Sequence, residues 1–116
     1  MTALQDAVAS DTGDKKSRDS ILLSFVFTVE MSWKSLKAAL AVLGEAAPNY
    51  AAGIFKSAFT VGLVTDPDLW MNLREARNEV SHANDLDKAI AIAALVSRRA
   101  VAAFRDLMEG LRHVES

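Results

Sequence analysis

Leu22, Phe25, Val29, Trp33, Leu36, Leu40 and Leu43 recur at steps of three and four residues, the spacing of one buried stripe along a helix. Leu23, Phe27, Met31 and Ala38 lay a second apolar stripe beside it. A helix that is apolar on two faces is covered on more than one side, either at the centre of a bundle or against a second chain. The pattern predicts a long helix over residues 18–43, stopped by Gly44. Upstream, Ala3 to Ala9 has the makings of a short helix. Asp11 to Ser17 has no apolar period and reads as a linker.

A shorter helix is predicted from Tyr50 to Val61, with Ile54, Ala58 and Val61 on one face, Phe55 and Phe59 close by, and Gly62 at its end. Asp66-Pro67-Asp68 is a helix start: an N-cap carboxylate, a proline at the first helical position and a second carboxylate in the positive first turn. That helix is expected to run to about His82. Asn84-Asp85 breaks the chain and can cap the next helix. Leu86, Ile90, Ala93, Ala100, Phe104, Leu107 and Leu111 then form a near-heptad stripe, interrupted at Ser97. No strand pattern, internal repeat or low-complexity tract competes. The expected fold is all-α, a four-helix up-and-down bundle over residues 18–116, with residues 1–17 a flexible segment or short helix.

The chain has 116 residues, enough for one core. It has no cysteine, so disulfides and thiolate metal sites are excluded, and a reducing cytoplasm is the expected setting. The N-terminus shows no secretory pattern. The longest unbroken apolar stretch, Ala89 to Val96, is far short of the ~20 residues of a membrane span, so no membrane partner is expected. A net charge of −2 argues against a general nucleic-acid coating protein. RNA would be touched locally, in a pocket; the other partner that fits is a protein.

The candidate chemistry is concentrated in Trp70 and the run Arg77-Asn78-Glu79-Val80-Ser81-His82. At ~100° per residue Arg77 lies over Ser81 and Asn78 over His82, all within roughly 140° of one helix side. Trp70 lies two turns earlier on the line of Arg77, and Leu73, Ala76 and Val80 form the adjoining apolar arc. A histidine can exchange a proton with a ribose hydroxyl or a leaving oxygen. An arginine can hold a phosphate and stabilise the charge that builds on it, and Asn78 can orient the imidazole. With two histidines and no carboxylate cluster around them, no metal or other cofactor is expected. The same residues have plainer uses: His82 as a cap on a helix dipole, Arg77 stacked on Trp70. Glu30 is either half of an exposed pair with Lys34 or faces the pocket beside the third main helix. Trp33 and Trp70 are core residues or ligand platforms. Arg98-Arg99 is a solvated face or a phosphate site, and His113 is exposed near the chain end.

Two blocks of residues resemble a known family. Arg18-Asp19, Phe25, Phe27-Thr28, Glu30 and Trp33-Lys34 resemble the first long helix of the nucleotidyltransferase substrate-binding proteins, a branch of the HEPN superfamily. Ala58-Phe59, Gly62-Leu63, Trp70, Arg77-Asn78 and Ser81-His82 match the later motif of that family in order and spacing. The resemblance spans about residues 18 to 90. It implies a compact bundle that forms a homodimer and works beside a small nucleotidyltransferase, as a non-catalytic subunit that presents substrate. It also implies an alternative, a toxin acting as a metal-independent RNase through Arg77 and His82, with Asn78 and Ser81 in support, neutralised by the nucleotidyltransferase as antitoxin. Trp70 and Glu30 are the expected binding residues, for RNA or a nucleotide. Toxic relatives often carry a tyrosine two residues after the histidine, which the partner modifies; this chain has Asn84 there, and its one tyrosine is Tyr50. A plain structural bundle is the remaining reading.

Overall fold

The computed structural model describes residues 2–45, 49–82 and 85–114. Each helix begins or ends where a specific residue requires it. After the short α1 (Thr2–Ala9), Asp14 caps α2 (Lys15–Val42) by accepting a hydrogen bond from the Ser17 amide at 2.8 Å. That bond holds the Asp14 carboxyl below the usual carboxylate range. α2 therefore starts about two turns before the apolar period does. It ends at Gly44, whose φ of +78° lets the Glu45 amide turn back to the Leu40 carbonyl at 2.9 Å. α3 (Ala51–Thr60) ends the same way at Gly62. α4 (Pro67–Glu79) opens with Asp66 accepting from the Leu69 amide at 3.0 Å and Pro67 in its first turn. It tightens into a 3-10 turn at Val80–His82. Asp85 caps α5 (Leu86–Leu95) by accepting from the Lys88 amide; Asn84 lies outside the described residues. A π turn at Val96–Ala100 joins α5 to α6 (Val101–Val114).

The fold is all-α, and no strand occurs among the described residues. Its main members are α2, α3, α4 and the α5–α6 arm. Phe25 on α2, Phe104 on α6, Trp70 on α4 and Phe55 on α3 form a chain of aromatic contacts through the core. Ring centroids lie 6.3, 5.5 and 5.8 Å apart along it, within the range where tilted and edge contacts are favourable. Leu36, Leu40, Leu73 and Val96 are fully buried around it. α1 packs on α2 and buries Leu4 completely. α4 returns along α2: Arg77 pairs with Glu30, while Val80 and Ser81 share a groove with Asp19 and Leu22. No helix among the described residues is long and apolar enough to cross a membrane.

Two parts of the hydrophobic pattern take a definite form in the structure. The second stripe of α2 faces outward, with Leu23, Phe27 and Met31 at 74%, 67% and 49% exposure. The last helix buries Ala89, Ile92 and Val96 in its first half, where the near-heptad reading places Leu86 and Ile90; those two are exposed. The π turn is the reason. Ile92, Val96, Ala100 and Phe104, all in the core, lie four apart three times running. On an ideal α-helix twelve residues drift by about 120° past three full turns. One extra residue in a π turn takes up that drift and keeps both halves facing the core. A stripe drawn at constant period back from Phe104 misses the change of phase.

Candidate functional site

Three helices enclose a groove of about 590 Å³: the middle of α2, the start of α3 and the flank of α4 from Met71 to Asn78. Its placement follows from the stripes. Val29 and Leu36 turn α2 towards the core, which leaves Glu30 and Trp33 on the flank beside α4. Leu73 and Ala76 do the same for α4, leaving Arg74, Arg77 and Asn78 on the flank beside α2 and α3. Val29, Ile54 and Met71 supply an apolar floor.

Glu30 organises the polar wall. Its Oε1 lies 2.8 Å from Arg77 Nε, and its Oε2 accepts from Trp33 Nε1 at 3.2 Å. Both members of the ion pair are about one-third exposed (35% each). The Arg77 Nε atom itself is buried and makes no well-directed hydrogen bond, so the contact with Glu30 is chiefly Coulombic. Arg77 Nη1 donates to Asn78 Oδ1 at 3.3 Å. Glu30 thus spends its charge on Arg77 and pairs with that residue instead of Lys34. Its carboxylate lies against Arg77 on α4, while Lys34 is exposed.

The structure brings Glu30, Arg77 and Asn78 together and sets the other expected residues apart. Ser81 Oγ donates to the Asn78 carbonyl at 2.8 Å, closing the helix end, and its side chain borders a second, shallower groove with Arg77, Val80 and Leu22. His82 is exposed at the end of the 3-10 turn and lines neither groove. Among the described residues no hydrogen bond joins Asn78 to His82; Asn78 Oδ1 accepts from Arg77. Trp70 is 4% exposed and sits between Phe55 and Phe104 as a core residue. Its neighbour across the surface is a small recess lined by Arg98, Arg99 and Asp66, apart from the Glu30 groove. Glu79 and Lys88 form a 2.6 Å ion pair across the connection that carries His82. The hydrogen bond from Lys88 lowers the Glu79 carboxyl and raises the Lys88 ammonium from their ordinary values. Among the described residues no three of His, Asp and Glu gather as a metal site.

Sequence reasoning missed Arg74, Asn49 and Tyr50, which also line the groove. Arg74 had a usable signal, since it stands one helical turn before Arg77. Asn49 and Tyr50 had none, because they precede α3 and reach the groove only through the tertiary fold.

Fold and groove together define a small helical domain with a recessed, mixed-charge face on an aromatic core. The chain belongs to the nucleotidyltransferase substrate binding protein like family, whose profile matches residues 1–113. The match takes in α1 and α6 as well as the two blocks of motif residues. Among curated proteins none matches the chain.

Proposed function

We propose that this chain is the substrate-binding subunit of a two-chain system. It holds an acceptor substrate in the Glu30–Arg77 groove, while a separate small nucleotidyltransferase supplies the nucleotide and the transfer chemistry. The observation that carries this reading is the groove itself: a recess of about 590 Å³ with an apolar floor and a convergent polar wall, in a chain of the substrate-binding family. Holding a substrate in one orientation removes translational and rotational freedom before the transfer step, which is what a non-catalytic subunit can contribute.

Self-association is part of the proposal. Leu23, Phe27 and Met31 stand exposed in a row on α2, an apolar surface that a second copy would cover. The placement of the chain in the HEPN superfamily rests on the resemblance of its two motif blocks. The RNase alternative draws less support from the geometry, since Arg77 lines the groove and His82 does not.

Capture from the source cells tests the reading. The tagged chain should retain a nucleotidyltransferase identified by mass spectrometry, and Arg77→Ala should retain it equally. Absence of any nucleotidyltransferase from the captured proteins would sink the proposal. Cleavage of cellular RNA by the purified chain in EDTA, lost in His82→Ala, would replace it with the RNase.

A further inference from the structure

The hydrogen-bonding capacity left over in the Glu30 groove has a sign. Both Glu30 oxygens are engaged, one by Arg77 and one by the Trp33 indole. Asn78 Oδ1 is engaged by Arg77, and Asn49 Oδ1 accepts from Lys37 Nζ at 3.4 Å. The acceptors of the wall are therefore largely used within the protein. The donors are not. Among the described residues Arg74 has no hydrogen-bond or ion-pair partner, and the amide nitrogens of Asn49 and Asn78 have none. A guanidinium has five N–H donors and no acceptor, and each amide nitrogen brings two more donors. Two guanidiniums against one carboxylate also leave the groove one net positive charge, in a chain whose net charge is −2.

From this we infer that the groove takes a small oxyanion-bearing ligand, a phosphate or carboxylate joined to a flat or apolar body. Arg74 and the free edge of Arg77 hold the anion, the asparagine amides supply further donors, and the body lies on Val29, Ile54 and Met71 against the Trp33 ring. A cationic amine finds no equal place, because the one carboxylate that would receive it is already neutralised by Arg77. This inference rests on the groove being the substrate site and adds the chemical class of the substrate.

Two tryptophans make the test direct. Trp33 lines the groove and Trp70 lies in the core, so their indole N–H signals report the site and a built-in control. The full chain is titrated with phenyl phosphate, with benzoate and with benzylammonium, and the indole region is followed by NMR. Phenyl phosphate or benzoate should move the Trp33 signal saturably and leave Trp70 nearly still. Arg74→Ala should weaken that binding at least about fivefold, as loss of a charge-assisted contact would. Glu30→Gln keeps the shape, raises the net charge of the groove and should tighten anion binding about two- to fivefold. Tighter binding of benzylammonium, or weaker anion binding in Glu30→Gln together with no effect of Arg74→Ala, overturns the inference. So does a Trp33 signal unmoved by either anion at tens of millimolar. A chain that ignores anions yet still captures its nucleotidyltransferase loses only the ligand class. A chain that binds phenyl phosphate as described but captures no nucleotidyltransferase loses only the subunit role.

Discussion

Deleting Ser97 should leave the protein folded, although it removes a residue from the middle of the longest apolar arm. Ser97 is exposed and lies in the π turn. With it present, the core residues Ile92, Val96, Ala100 and Phe104 span twelve residues, about 120° beyond three turns of an ideal α-helix. With it deleted they span eleven, about 20° beyond three turns, so a regular α-helix presents all four to the core. The expected cost is within about 1 kcal/mol, the range of a surface change that breaks no core contact. The matched control is deletion of the exposed Lys34 in α2, a helix with no π turn to absorb the change. There the rest of the helix turns by about 100° and carries Leu36 and Leu40, both fully buried, out of the core. Each leucine is worth about 1.5–3 kcal/mol of burial, so the control should be severely destabilised or unfolded. Urea unfolding followed by far-ultraviolet circular dichroism measures both. Equal destabilisation by the two deletions would refute the phase argument.

Further predictions concern the core, the site and the surface. Leu73→Ala, at a fully buried position beside the groove, should cost about 2–5 kcal/mol in the same assay. Arg77→Ala leaves a partly exposed carboxylate that water solvates and should cost no more than about 1 kcal/mol, whereas Glu30→Ala strips the partner from a buried Nε and from the Trp33 indole and should cost about 1–3 kcal/mol; the reverse order would contradict the wall described above. The folded-state Glu79 carboxyl is lowered by Lys88, so its contribution is present above the unfolded glutamate value and is lost as pH falls through the folded one. The melting-temperature gap between wild type and Lys88→Met should therefore close between about pH 6 and about pH 3, and a gap that widens on acidification would reverse the sign of that linkage. Phe27→Ser with Met31→Ser should shift sedimentation from dimer to monomer without loss of helicity, and a wild type already monomeric at micromolar concentration would remove the self-association claim.

The caps and stops of this fold are legible in the sequence because they are local. Asp66-Pro67, Asp85, Gly44 and Gly62 each do what their chemistry requires within one turn of chain. The buried stripe of α2 is legible for the same reason, since its period is unbroken from Leu22 to Leu40. The second stripe shows the limit of periodicity: Leu23, Phe27 and Met31 mark an apolar face, and nothing in the spacing says what covers it. The phase of α5 is hidden because a constant period cannot see one extra residue. In the site, Glu30 is visible as a polar residue between the apolar stripes of α2, and Arg77 is one of several polar residues on α4; their pairing joins positions 47 apart and arises only when α4 folds back along α2. A continued α-helix would align His82 with Asn78; the 3-10 turn at Val80–His82 changes that geometry.

The central claim is that the Glu30–Arg77 groove holds the substrate for a separate nucleotidyltransferase. The most direct test is transfer of labelled nucleotide from a nucleoside triphosphate to the small-molecule fraction of a cell extract, by the captured complex of this chain with its nucleotidyltransferase. Arg77→Ala should keep the complex intact and cut that transfer at least about tenfold. Full transfer by the Arg77→Ala complex would contradict it.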